Sequence, residues 1–156
     1  MIYIVAGIPG SGKSTWIKNK MNTGRDFWCS RDNVRFGMLE DGEEYFAKEN
    51  EVFKEWIKDI RYAILNSCLI GADIYIDATH LTPKARNKVL NQLDFYGHSL
   101  TGVNFLTDVE ECIRRNNLRT GRAHIPESVI RNMAETFIPI TQNENYVYDE
   151  IIEVRD

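Results

Sequence analysis

Gly7-Ile8-Pro9-Gly10-Ser11-Gly12-Lys13-Ser14-Thr15 follows the apolar run Ile2-Tyr3-Ile4-Val5-Ala6 and precedes a segment with helical character. It satisfies the spacing Gly, four residues, Gly, Lys, Ser/Thr that marks a phosphate-binding loop. The glycines let backbone N–H groups close around phosphate oxygens, and the following helix aims its positive N-terminal end at the same anion. On this template Lys13 reaches the β- and γ-phosphates of a nucleotide and the Ser14 hydroxyl binds Mg²⁺, while Gly7, Pro9, Gly10, Ser11, Gly12 and Thr15 form the cradle.

Outward from this loop, strand and helix alternate. Residues 2 to 6 lack alternation, as in a central parallel strand covered on both faces. A helix is expected from Lys13 to about Met21 and a second strand over Phe27-Trp28-Cys29-Ser30. Asp32 then lies near the start of a short helix carrying Val34, Met38 and Leu39. After the Asp41-Gly42 turn, apolar residues recur every three to four positions from Glu43 to Leu69. That period predicts one long amphipathic helix ended by Gly71. In it Phe46, Phe53 and Trp56 are expected in the core stripe rather than as a base-stacking platform.

A third strand is read over Ala72 to Asp77, and Thr82-Pro83 opens a helix to about Phe95. Ser99 to Leu106 is a fourth strand, and Asp108 caps a helix over Val109 to Leu118. Arg119 to His124 is a basic loop, Pro126 opens a helix to about Glu135, and Tyr148 to Val154 closes the series with a fifth strand. The pattern implies an α/β three-layer sandwich with a central parallel sheet of about five strands flanked by helices.

At 156 residues, with 43% hydrophobic and 27% charged residues, the chain fits one globular domain spanning 1–156. Its three cysteines, Cys29, Cys68 and Cys112, have no metal-knuckle spacing and are expected as small buried residues in a reducing compartment. Neither a signal sequence nor a membrane-spanning run is apparent, so a cytoplasmic protein with no membrane partner is expected. The net charge of −4 argues against coating nucleic acid by bulk electrostatics. It leaves room for a local groove, because Arg114, Arg115, Arg119, Arg122 and Arg131 cluster in one segment. Composition leaves homo-oligomerisation open.

Ligands of open α/β sheets collect at the carboxyl ends of strands, where four polar groups of this sequence fall. Besides the glycine-rich loop they are Arg31-Asp32 with Arg35, Asp77-Ala78-Thr79-His80, and the residues after the fourth strand. Asp77 is placed to hold Mg²⁺ beside Ser14, and Asp32 to orient a hydroxyl and take its proton. Arg35, one helical turn on, suits an acceptor phosphate. Arg119 and Arg122 lie where a lid, at about 119–125, neutralises charge on a transferred phosphoryl group. His80 is read either as an acceptor contact or as a turn residue.

With these positions in hand, the chain resembles the 5'-hydroxyl polynucleotide kinases, in particular the kinase half of the T-even bacteriophage kinase-phosphatases. The matching pieces are G-x-P-G-S-G-K-S-T-W at Gly7 to Trp16, S-R-D-N-V-R at Ser30 to Arg35, I-D-A-T-H-L-T-P-x-A-R at Ile76 to Arg86, and R-N-N-L-R-T-G-R-A-H-I-P at Arg115 to Pro126. The resemblance implies a P-loop kinase fold with an Arg-bearing lid and ATP, or another NTP, with Mg²⁺ as cofactors. It implies a 5'-OH end of DNA or RNA as the nucleic-acid substrate, in a bacterial or phage-infected cell. Lys13 and Ser14 would serve ATP and Mg²⁺, Asp32 would be the general base, Arg35 would hold the acceptor's 3'-phosphate, and Arg119 would reach the donor phosphates. Two positions depart from the pattern: the family's third-strand acid stands a residue away from Asp77, and His80 replaces a usual Asn. No D-x-D-x-T phosphatase motif occurs, so only the kinase module is expected. A P-loop kinase of a small hydroxyl compound, such as a nucleoside, nucleotide, sugar or antibiotic, and a nucleotide-binding adaptor without transfer are the other readings.

Overall fold

A computed structural model describes residues 1–155, apart from the Arg122 side chain. Five strands, β1 (Ile2–Ala6), β2 (Phe27–Ser30), β3 (Ile74–Asp77), β4 (Leu100–Phe105) and β5 (Glu150–Val154), make one sheet in the order β2-β3-β1-β4-β5. Every strand pair is parallel. The described residues also form six helices: α1 (Lys13–Lys20), α2 (Arg31–Met38), α3 (Glu49–Ile70), α4 (Pro83–Leu90), α5 (Val109–Asn116) and α6 (Glu127–Thr136).

The unalternating strands are explained by two cores. Ile2, Ile4 and Ala6 of β1 face Trp56, Ile57, Ile60 and Ile64 of α3 and Val89 and Leu90 of α4. Tyr3 and Val5 face the opposite side, with Ile17 of α1, Tyr75 and Phe105. The three central strands β1, β3 and β4 thus bury both faces, which is why period-2 polarity is missing in them. A third cluster joins Ile8 of the glycine-rich loop to Cys112 and Ile113 of α5 and Ile130 of α6, so the segment before and after residue 120 is packed against the loop it overhangs.

Strand order is what assembles the site. β1 lies between β3 and β4, so the loop after β1 meets the end of β3, where Gly7 N–H donates to the Thr79 carbonyl at 2.9 Å. β2 is one strand further out and delivers α2, whose N-cap Ser30 accepts from Asn33 N–H at 3.2 Å.

Several element boundaries differ from the sequence reading. The long helix begins at Glu49 rather than Glu43; residues 45–48 are a turn, and Lys48 at the N-cap gives no side-chain cap. Tyr45 and Phe46 have helical spacing, yet they pack on Arg35 of α2 instead of on the sheet. Phe46 is therefore 52% exposed and not in the core stripe, whereas Trp56 is fully buried as expected. Helix α4 stops at Leu90, short of Phe95, because Asn91 and Gln92 turn away. Cys29 and Cys112 are buried, but Cys68 is exposed near the end of α3.

Candidate active site

A cavity of about 780 Å³ opens at the carboxyl edge of the sheet. One wall is the loop from Pro9 to Thr15. Gly10 (φ +82°) and Gly12 (φ +98°) occupy the left-handed region, and a Cβ on Gly10 would meet the Cys112 carbonyl oxygen at 2.6 Å. Only glycine fits there without strain. Lys13 extends across the loop, its Nζ donating to the carbonyls of Gly7 and Ile8 at 2.9 Å each. Burial pulls this ammonium below its ordinary range, the carboxylates of Asp77 and Asp32 hold it up, and the Arg119 guanidinium pushes it down again. One lysine therefore feels the third-strand acid, the α2 acid and Arg119 together.

Asp77 ends β3 and is only 6% exposed. Trp28 Nε1 donates to its Oδ2 at 3.0 Å. Burial raises its carboxyl above the usual range, while Lys13, the Trp28 indole and the Ser14 hydroxyl favour the charged form. The Ser14 hydroxyl, the Asp77 carboxylate and a nucleotide's own phosphates are the hard oxygen donors that Mg²⁺ takes, with water filling the rest. The donor set thus fits that ion. Among the described residues no cluster of three His, Cys, Asp or Glu offers a protein-only metal cage.

The opposite wall is formed by α2 and the turn before α3. Asp32 sits in the first turn of α2, where the helix dipole favours its charge. Its Oδ1 accepts from Arg35 Nη1 and from the Tyr45 hydroxyl. Arg35 is 4% exposed. Its Nε and Nη2 donate to Glu49 Oε1 at 3.0 and 2.6 Å, and Nη1 donates to the Tyr45 oxygen at 2.8 Å. Glu49 Oε2 takes a further bond from Arg31 Nη2 at 3.1 Å. Burial, reinforced by Asp32, raises the Tyr45 hydroxyl's pKa, so Tyr45 stays protonated as a donor. Arg35 is thus engaged by three groups of its own chain.

Arg119, just after α5, lines the cavity, and Arg115 in the last turn of α5 donates through Nη1 to the Gly10 carbonyl at 3.1 Å. Buried Asn116 bridges the ends of the following loop: its amide donates to the Ile125 carbonyl at 2.6 Å and accepts from Ile125 N–H at 3.0 Å. The Arg122 side chain lies outside the described residues. The rest of the basic segment is balanced, because Arg114 and Arg115 pair with Glu111, and Arg131 pairs with Glu110 and Glu127.

His80 is not in the cavity wall. It is 4% exposed, its Nδ1 bonds the Val5 carbonyl at 2.6 Å, and its ring stacks on Trp56 with centroids 5.7 Å apart. Since a carbonyl only accepts, Nδ1 carries the proton. Burial lowers its pKa to about 3, so the ring is neutral. Its φ of +46° explains the residue type: His and Asn enter the left-handed region more readily than other non-glycine residues. Arg86, fully buried and paired with Glu144, donates to the His80 carbonyl at 2.7 Å and fixes the turn. The position supports the loop from behind, and that is the turn reading of His80.

The structure brings Lys13, Ser14, Asp32, Arg35, Asp77 and Arg119 to one cavity. Sequence reading missed Tyr45 and Glu49, which it had placed inside a helix with no signal to distinguish them. It also read Trp28 as a strand residue without assigning it a partner, and passed over Arg115 within the basic cluster.

Comparison with known proteins agrees at the level of fold. A family profile described as an AAA domain matches residues 2–140. A chain of the Pnkp1/Rnl/Hen1 RNA repair complex superposes with a TM-score of 0.66 at 24% identity, covering 92% of this chain and 49% of that one. The present chain therefore spans about half the length of that relative. A fungal RNA kinase matches with a TM-score of 0.65 at 15% identity, covering 98% of this chain and 72% of that one. A gluconokinase from Sinorhizobium meliloti 1021 matches with a TM-score of 0.57 at 16% identity, covering 98% and 81%. Together with the sheet order, these place the chain among proteins with the P-loop kinase fold. Among the described residues no helix is long and apolar enough to cross a membrane.

Proposed function

We propose, from the premise that this chain belongs to the AAA-domain family, that it transfers the γ-phosphoryl group of ATP, or of another NTP, to the 5'-hydroxyl of DNA or RNA. The observation that carries this reading is the convergence on Lys13. The Asp32 carboxylate and the Arg119 guanidinium line the same cavity as Lys13, and both act on its ammonium. A donor cradle faced by an acid and closed by an arginine is the arrangement that in-line phosphoryl transfer requires.

In this mechanism Lys13 leaves the Gly7 and Ile8 carbonyls for the β- and γ-phosphate oxygens. Asp32 accepts the hydroxyl proton as the hydroxyl oxygen bonds to the γ-phosphorus, and the bond from that phosphorus to the nucleoside diphosphate breaks. Arg119 stabilises charge on the transferred group, and the Arg122 side chain is assigned the same role on sequence grounds. Ser14 and Asp77 would hold Mg²⁺, which supplies charge neutralisation at the phosphates. The Trp28 indole keeps Asp77 Oδ2 in place. Incubation with labelled ATP and a 5'-OH oligonucleotide tests the proposal. Labelled oligonucleotide is expected; its absence, with label appearing on a small alcohol, would overturn it.

One observation favours a second acceptor class. Glu49 already fills Arg35 and contacts Arg31, so the guanidinium expected to hold an acceptor phosphate is neutralised by a carboxylate. With the net charge of −4, this suits a small hydroxyl compound lacking phosphate. Salt dependence separates the two readings: affinity for an oligonucleotide held by several phosphate contacts falls steeply with salt, and affinity for an uncharged acceptor does not.

A further inference from the structure

We propose that Phe36 and Phe46 form a stacking platform for the nucleobase of the acceptor's 5'-terminal nucleoside, an inference that rests on the polynucleotide acceptor put forward above. Phe36 is 37% exposed and Phe46 52%, and both line the cavity that contains Asp32 and the glycine-rich loop. The Tyr45 ring joins them edge-on, with centroids 6.0 Å from Phe36 and 4.6 Å from Phe46. Beneath this group the Arg35 guanidinium lies 4.1 Å from the Tyr45 centroid and 5.8 Å from that of Phe46.

Two features distinguish these rings from scattered surface aromatics. The first is that their support is fixed. Tyr45 is bonded through its hydroxyl to Asp32 and Arg35, and Arg35 is held by Glu49, so the rings are placed before any ligand arrives. The entropy cost of ordering a platform on binding is thereby reduced. The second is register. Phe36 follows Asp32 by four residues on α2, one turn along the same face, or about 6 Å along the axis. A hydroxyl at Asp32 and a flat ring at Phe36 are thus separated by about the span of one nucleoside, from its 5'-oxygen to its base. Every nucleobase presents a π-face to such rings, so the platform would be tolerant of sequence. A sugar acid or polyol presents none. The platform therefore selects nucleoside-bearing acceptors over the small alcohols served by other proteins of this fold.

The test uses a short 5'-OH oligonucleotide carrying 2-aminopurine at its 5' end, titrated with the full chain. Stacking should quench the fluorescence. Phe46→Ala and Phe36→Ala should each remove most of the quench and weaken binding about five- to hundredfold, the range for loss of one stacking contact, whereas Phe46→Tyr, which keeps a ring, should restore it. In transfer assays an acceptor abasic at its 5' end should show a KM about tenfold above the base-bearing one, and Phe46→Ala should shrink that ratio toward one. An oligonucleotide that is phosphorylated with no quench, or a quench that survives both alanine variants, overturns the platform and leaves the kinase reading standing. A ring-dependent quench without phosphorylation overturns the polynucleotide kinase reading and retains the platform.

Discussion

From Gly7 to Thr15 the donor wall is made by consecutive residues, and its key contacts are to its own backbone: Lys13 reaches the carbonyls of Gly7 and Ile8. The wall proposed to take the acceptor is made otherwise. Asp32 and Arg35 come from α2, Tyr45 from a turn and Glu49 from the start of α3, joined by side-chain bonds, and the neighbouring Phe46 ring packs edge-on against Tyr45. The donor wall is specified locally, so a change there acts on one ligand. The acceptor wall is a charge network in which each member sets the others, so a change there is expected to redistribute specificity as well as rate. Exposed ion pairs contribute little, but Arg35 is 4% exposed, and breaking its partnership leaves an uncompensated charge.

The sharpest break between the walls is Asp32→Ala. Transfer is expected to fall about 10²–10⁴-fold, the usual contribution of a positioned base, while calorimetry shows ATP binding retained. Turnover untouched by this change would support the adaptor reading and remove the acceptor wall from the chemistry. Lys13→Ala probes the other wall: kcat should fall about 10²–10³-fold and nucleotide affinity should fall with it, both read in one steady-state titration.

His80 lies behind the donor loop and predicts a pH effect on stability rather than on rate. Its folded pKa is lowered from 6.5 to about 3 by burial, with Arg31, Arg86 and Lys13 adding to the effect against the Val5 hydrogen bond. The unfolded chain takes up this proton below pH 6.5 and the folded chain does not, so the stability is fully present above pH 6.5 and is lost as pH falls toward 3. Denaturant melts should lose about 1.4 kcal/mol per pH unit across that window, or about 2 kcal/mol by pH 5. In His80→Asn, which tolerates the same backbone angle, this component of the slope should vanish.

The smallest expected effect separates the two acceptor readings. Glu49→Gln removes the carboxylate from Arg35 and Arg31, and KM for an acceptor bearing a phosphate should fall about tenfold relative to one without, worth about 1.4 kcal/mol. An unchanged ratio would mean that Glu49 only positions the arginines.

Much of the fold was legible because its signals are local. β2 was bounded correctly by Phe27 and Ser30, and Thr82-Pro83 and Asp108 do stand at helix starts. The errors have physical causes. Tyr45 and Phe46 carry helical spacing, but they are drawn to Arg35 of a neighbouring helix, and tertiary packing overrides propensity. Cys68 follows the buried Ser67 on α3 and therefore faces outward, since adjacent helical positions do not share a face. His80, ambiguous as a letter, is resolved by its positive φ and by the Val5 carbonyl, neither of which is visible in sequence.

The sequence by itself determined the glycine-rich loop, the alternation of strand and helix and the presence of acids and arginines after the right strands, because these depend on backbone geometry within a few residues. Only the tertiary structure decided which of those charges meet. The strand order β2-β3-β1-β4-β5 carries α2 to the loop, the turn before α3 sets Tyr45 against both Asp32 and Arg35, and Glu49 at the start of α3 pairs with Arg35. Electrostatic partnership depends on distance through space, and distance along the chain does not encode it.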